Sequence, residues 1–322
     1  MLAIRSLLVA AGLSALSLGT AQAGPLDAAT ILGGFNAVVL GNFSSTSDVE
    51  GAVVIEGNLS GGSATFNAAP RTAPPAGAAA VTVFGSATGG PFNVNNGGSV
   101  AVAGSDTARF NLNGGGTLGT SSPYVASDFA SVVSLSEQLA TLAATGSVNS
   151  HDHNNAQLNA RPGADGIGVL NVTAAQLASY SGFNVNLNGA RTVIINVDAA
   201  GSGGRVSLSN HFNNESADRQ NVIWNFYNAT SLTLGTLWGG AILAPDAAVS
   251  NTTAIEGMVL AGSFSGQGEL HDYGFAGTLP AVSGQTTGTS GQQGQPVPEP
   301  AALALLGSGL VALGMVRRRR RV

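Results

Sequence analysis

The chain contains no cysteine and no lysine, and charged residues of either sign fill only 9% of its 322 positions. The first absence excludes a disulfide framework, a thiolate metal ligand and a thiol nucleophile, so stability has to come from packing and backbone pairing. The second makes a P-loop impossible. Neither G-x-S-x-G nor H-E-x-x-H occurs, which removes the commonest serine-hydrolase and zinc-protease signatures. What basic charge exists is misplaced for nucleic acid: of twelve arginines, Arg317 to Arg321 close the chain and Arg5 lies near its start. From Gly24 to Pro298, six arginines face sixteen acidic residues, a formal charge of −10. With no basic patch, nucleic acid and anionic membrane surfaces are disfavoured as partners.

What the chain does have is glycine, 46 residues, about twice the usual ~7%. Apolar residues make up 44% and fall in short alternating runs. Abundant glycine and asparagine with short strands predict a mainly β, single-domain β-solenoid in which each coil turns tightly and stacks on the next. A local repeat supports this. Phe92-Asn-Val-Asn-Asn-Gly97 recurs eighteen residues later as Phe110-Asn-Leu-Asn-Gly-Gly115, and again as Phe183-Asn-Val-Asn-Leu-Asn-Gly189. The apolar members share one strand face and the asparagines the other, suited to a core and to asparagine ladders. A second echo links Asp48-Val-Glu-Gly-Ala-Val-Val-Ile55 to Ala254-Ile-Glu-Gly-Met-Val-Leu260, as if the chain left a coil type and returned to it. Val49 to Ile55 reads as one strand, and Ala68 to Ala80 as an alanine- and proline-rich loop.

One stretch breaks the β pattern. Val132, Leu135, Leu139 and Leu142 form a helical stripe within Ser127–Thr145, with Ser127 placed as N-cap and Gly146 as stop. This predicts one long α-helix packed along the solenoid. A shorter helix is expected from Thr173, whose spacing to Gln176 fits a capping box.

Both ends read as targeting segments. Met1–Ala23 has an apolar run from Leu7 to Leu18 and an Ala21-Gln22-Ala23 cleavage site, which would start the mature chain at Gly24. At the other end, Ser283 to Pro296 is a flexible Gly/Ser/Gln linker. Val297-Pro298-Glu299-Pro300 follows, then sixteen uncharged residues, Ala301 to Val316, then Arg317, Arg318, Arg319, Arg320 and Arg321. As a helix the apolar run spans roughly 24 Å, a little less than the ~30 Å hydrocarbon core. This tail resembles the PEP-CTERM sorting signal of certain Gram-negative bacteria. That resemblance implies processing by a membrane exosortase, transient residence in the inner membrane, and export to the cell surface or extracellular matrix. A plain membrane anchor is the alternative.

Residues 31 to 280 resemble the choice-of-anchor A domain. The likeness rests on Phe35–Asn42, on the paired Glu50-Gly51 and Glu256-Gly257 coils, and on the closing Gly-Glu269-Leu-His271-Asp-Tyr-Gly-Phe275. It implies a surface-displayed β-solenoid with an adjacent helix, adhesive or structural, without catalytic activity or cofactor. Exopolysaccharide or other surface proteins are its implied partners, as in a biofilm.

The chemistry-bearing candidates each have a plain alternative. Glu269 and His271 share a strand face, with Asp272 opposite; the plain reading is a Glu–His hydrogen bond capping the last coil. His151-Asp152-His153 offers two imidazoles and a carboxylate, yet no full ligand set for zinc. Asn196 to Gly204 is similar to calcium-binding Gly/Asp turns but lacks their repeated aspartates. Asp48 and Glu50 form an acidic pair with nothing placing it about a scissile bond. Asn-x-Ser/Thr occurs at Asn42, Asn58, Asn171, Asn214, Asn228 and Asn251; in a bacterial export context these are not read as glycosylation sites, and the Ser/Thr-rich linker is the better place for sugar. Catalytic and metal residues are therefore none. The competing functions are a ligand-binding solenoid, for ice or glycan, and a polysaccharide-active enzyme. Ice binding would use regular Thr-x-Thr rows, and no such tripeptide occurs from Gly24 to Pro280.

Overall fold

A computed structural model describes residues 24 to 281. Ala21, Ala23, the linker, Val297 to Pro300, the apolar run and the five arginines lie outside the described residues. Among the described residues no helix is long and apolar enough to cross a membrane.

The strands are short and mostly parallel, and successive strands of one coil fall on different faces of the stack. One coil shows the rule. Val53–Ile55 joins a first face, Leu59–Gly61 a second and Thr65–Phe66 a third, before Val81–Val83 returns to the first in register with Val53–Ile55. This is the expected β-solenoid. The Phe-Asn-Val repeat stacks as predicted, Phe110 over Phe92 and Leu112 over Val94, with Asn111 and Asn113 donating to Asn93 and Asn95 at 3.0 and 2.9 Å. The third copy belongs elsewhere: Gly182–Asn186 pairs with Ala156–Asn159, in a separate four-stranded sheet. Where the three sheets face one another, Phe183, Phe212, Trp224 and Trp238 pack with ring centroids 4.8 to 5.8 Å apart.

Val49 to Ile55 is not one strand. Asp48–Val49 lies on the third face and Val53–Ile55 on the first, with Glu50-Gly51-Ala52 turning the corner between them. Both halves are apolar, so period alone hides the bend. Ala68 to Ala80 contains no strand, as its prolines predict.

The chain enters its solenoid in the middle. Ala37–Val39 pairs with Val53–Ile55 on one side and with Val259–Gly266 on the other. Coils from residue 37 onwards climb to Leu118–Gly119; the chain then crosses to Ile167–Thr173 at the far end and winds back to residue 271. The two Glu-Gly segments are thus the same kind of coil, one on each side of a seam. Leu270–His271 sits in that seam, paired with Ile255–Glu256 and with Val49.

First-face strands are buried on both sides, which is why they read as unbroken apolar runs. Their inner side chains join the solenoid core. Val38, Val54, Val169, Ile194, Ile223, Leu243 and Leu260 point outward into a second core beneath helices. The buried residues of both cores lie between 28 and 275, with Leu26 and Leu279 packed against the second, so residues 24 to 281 carry both cores whole.

Helix α1 spans Ala28–Gly34, capped by Asp27, whose carboxylate accepts from Thr30 N at 2.8 Å. The predicted long helix, α2, is shorter than expected: Ala130–Ala140, after a 3-10 turn at Ala126–Phe129. Ser127 is not its cap. Asp128, 4% exposed, instead accepts from Val125 N at 2.9 Å and sets the turn. The helix stops before Gly146 because Thr145 and Gly146 donate backbone hydrogen bonds to Val169 O, at the edge of the first face. Val132, Leu135 and Leu139 are buried as the stripe predicts. Helix α3, Ala174–Ala178, starts at Thr173, whose hydroxyl accepts from Gln176 N at 3.0 Å.

Candidate functional site

Glu50-Gly51, Glu256-Gly257 and the closing stretch Glu269 to Tyr273 meet at the seam. Asn36, 1% exposed, is the stitch: its amide oxygen accepts from Gly51 N at 3.0 Å, while its nitrogen donates to His271 O at 3.0 Å and to Gly257 O at 3.3 Å. Glycine is required beside it, because a Cβ on Gly51 would lie 2.7 Å from the Asp272 carboxyl carbon. A Cβ on Gly257 would collide with the Gly240 carbonyl. Asp272, also 1% exposed, accepts from Arg71 N and Thr72 N, both at 2.7 Å, and from the Thr72 hydroxyl, fastening the alanine/proline loop to the seam.

Outside this buried layer lies an ionic one. Arg71 grips Glu50 with two 3.1 Å bonds, and Arg219 reaches Glu256 at 2.8 Å. Both guanidinium groups stack on the Tyr273 ring, 4.6 and 3.5 Å from its centroid. His271 bonds Glu269 at 2.7 Å and lies 3.4 Å from Glu256. Burial pushes the Glu50 carboxyl up, but bonds from Arg71 and Asp272 N, with the nearby His271 and Arg71 charges, outweigh it and hold it below its ordinary value. Phe275 donates its N–H to Leu32 O and tucks under α1. The predicted Glu–His bond exists, but it caps no end: the last coil in sequence is the central coil in space. Its groups answer one another, which is the chemistry of a clasp. Among the described residues no group of three or more His, Asp or Glu is placed to hold a metal ion.

The second face carries a feature that sequence reasoning missed. Its outward positions form a continuous row in register: Ser207, Thr233, Ser250, Ser265, Ser44 and Ser60. Isolated bridges at Ala87 and Asp106 carry the row on to Thr88 and Thr107. Eight successive coils thus present a hydroxyl, at the ~4.8 Å spacing of stacked strands. Among the described residues the one side-chain bond within the row joins Thr233 and Ser250 at 3.2 Å. A parallel row two residues back contains Ser231, Ser263, Asn42, Asn58, Ser86 and Ser105. Several of its oxygens accept backbone N–H groups from the next coil, Asn42 from Asn58 N and Asn58 from Ser86 N. A shallow depression of about 410 Å³ runs across Ser44, Thr233, Ser250 and Ser265. The signal was legible as Ser/Thr-x-Ser/Thr tripeptides, Ser231-Leu-Thr233, Ser263-Phe-Ser265 and Ser86-Ala-Thr88; a search for Thr-x-Thr alone passes over serine.

The other candidates stay apart. His151 and His153 lie in an exposed turn, and the His153 ring nitrogen faces Ser179 O at 3.0 Å. Asp198 binds Asn228 Nδ2 and Ala200 N, which hold its carboxyl below the ordinary value and make a turn of Asn196–Gly204. Asp48 is part of the third-face ladder while Glu50 is taken by Arg71.

The ice-binding-like adhesive domain family matches residues 28–272, and the PEP-CTERM protein-sorting motif matches residues 296–321. Neither a curated protein nor a solved structure matches the chain significantly. An adhesive domain joined to this sorting motif marks an exported surface protein of Gram-negative bacteria. The match spans most of the chain and the whole of its solenoid, and the chain belongs to the ice-binding-like adhesive domain family.

Proposed function

We propose that this is a non-catalytic adhesive solenoid, sorted by an exosortase and displayed at the cell surface or in the matrix, whose second face is its contact surface. The eight-coil hydroxyl row carries the reading. It is regular, almost uncharged, uncovered by any helix among the described residues, and rigidly spaced by the backbone ladder beneath it. Such a face suits an extended hydroxylated partner, an exopolysaccharide, which it meets through many weak and water-bridged hydrogen bonds rather than through one pocket. Catalysis would need convergent free carboxylates, and the acidic residues of the seam are engaged by arginine, histidine or backbone N–H groups.

The test is cosedimentation of residues 24–281 with insoluble exopolysaccharide from the producing cells. Replacing Thr233→Tyr together with Ser265→Tyr roughens the row, and binding should fall at least tenfold with the melting temperature unchanged. Unaltered binding would refute the assignment of the face, and release of reducing ends would point to an enzyme. The same rows favour ice as a second ligand, in keeping with the family description; thermal hysteresis abolished by the same pair of substitutions would select it.

A further inference from the structure

The two ends of the solenoid are finished differently. At the end formed by Ile167–Thr173 and Arg205–Leu208, helix α3 roofs the core: Leu177 is fully buried, and Ala174 and Tyr180 nearly so. At the other end no element among the described residues caps the core. Along the inner column Ala37, Val53, Val81, Val100 and Leu118, exposure runs 0, 0, 0, 2 and 48%. Phe110 and Leu112, which stack on the fully buried Phe92 and Val94, are themselves half-exposed. Leu118 and Val125, both at this end, are the large hydrophobic side chains left exposed among the described residues. The edge strand is equally unguarded, since Phe110 to Ser127 contains no ionisable side chain except Tyr124 and no proline before Pro123. Natural edges are normally blunted by charge, proline or a bulge, and solenoids by a polar cap.

We infer that this open end is an interface for the same end of a second copy, giving a closed head-to-head dimer. A second copy supplies the missing coil: apolar columns meet, and edge strands meeting end to end run antiparallel and exchange backbone hydrogen bonds. Charge allows it. The domain carries −10, which opposes self-association elsewhere, whereas the last coil holds one acid and one base, Asp106 and Arg109, both exposed. A two-fold axis at the corner between them sets each carboxylate against the other copy's guanidinium. Growth stops at two because the far end is roofed. The described chain also leaves from that far half, where Thr192 Oγ1 donates to Thr278 O at 2.7 Å. One coil is a small interface, below the ~800 Å² per partner of standard complexes, so the dimer is weak in solution and suits molecules concentrated at a surface.

Sedimentation equilibrium up to about 1 mM, on residues 24–281 and on detergent-solubilised 24–322, tests this. A dimer is expected for both. Leu118→Glu should weaken it at least tenfold with unchanged circular dichroism, while Gln176→Glu at the roofed end leaves it intact. Asp106→Arg should weaken it, and Asp106→Arg with Arg109→Asp should restore it. Monomer at 1 mM overturns the inference. So does a dimer indifferent to Leu118→Glu, or a dimer for 24–281 alone, which would make the chain's own C-terminal segment the occupant. If Leu118→Glu unfolds, the charge swap decides, and failure to restore sinks the proposal.

Discussion

At the scale of single residues, the seam depends on one amide. Asn36 has no neighbour in sequence to complete its coil, so its side chain takes the place of missing backbone, serving Gly51 N, His271 O and Gly257 O. Leaving buried backbone groups unpaired costs about 1–3 kcal/mol each. Asn36→Ala is therefore expected to lose about 3 kcal/mol, read as a lower urea midpoint with the slope unchanged; a loss under 1 kcal/mol would mean that water replaces the amide. Glu50 gives the seam its pH dependence. Its folded-state carboxyl titrates below its unfolded value, so its stabilisation is complete above the ordinary glutamate range and is lost as pH falls through the depressed folded value. Glu56 opposes it: burial raises its folded value, so ionisation disfavours the fold above that range. Glu50→Gln should thus flatten the fall in melting temperature on acidification below about pH 4.5. Glu56→Gln should raise stability at pH 7 and have no effect at pH 3. Reversed signs in the two titrations would refute these assignments.

At the scale of elements, α2 is held by more than its apolar stripe. Asn171, Asn196 and Asn225 stack on the outer side of the first face, and each nitrogen donates to a helix-side carbonyl, Leu142 O, Leu139 O and Ser136 O. They also bond one another, Asn225 to Asn196 at 2.8 Å and Asn196 to Asn171 at 3.0 Å. The ladder was legible as Leu170-Asn171-Val172, Ile195-Asn196-Val197 and Trp224-Asn225-Phe226, but the uneven spacing conceals it from a search for fixed periods. Helix α2 itself was readable from Val132, Leu135 and Leu139, because a stripe reports burial directly. Its C-terminal end was not, since Val169 fixes it from elsewhere in the chain, and at its N-terminal end the local Asp128–Val125 turn takes the place of the Ser127 cap. Asn225→Leu orphans the Ser136 hydroxyl and the Asn196 oxygen and should cost about 2 kcal/mol. Hydrogen exchange should then quicken in residues 132 to 142 well before the strands Thr192–Asp198 and Val222–Asn225. Equal quickening in helix and strands would show that the ladder braces the sheet rather than the helix.

At the scale of the whole molecule, the sequence repeats revealed a coil but not its place in the stack. Nothing local distinguishes the coil at residue 37, which the chain enters first, from a terminal one; only the pairing of Ala37 with Val259 makes it central. The C-terminal sorting motif is the opposite case, legible because a signal must be read in an extended chain before any fold exists. In the tail, we propose that Pro298-Glu299-Pro300 is the element the exosortase recognises, because proline favours the extended backbone a protease-like site needs. The sixteen-residue apolar run is marginal for a permanent span and adequate for a transient one. We propose that the five arginines act as the membrane stop. These parts should fail separately. Replacing all five arginines by serine should let the tail slip through or be secreted whole. Pro298→Ala, Glu299→Ala and Pro300→Ala together should leave unprocessed protein in the inner membrane. Intact-mass measurement of the surface form decides between sorting and anchoring. Processing predicts a mass without Arg317 to Val322, whereas a mass that retains them would mean the tail is a simple membrane anchor.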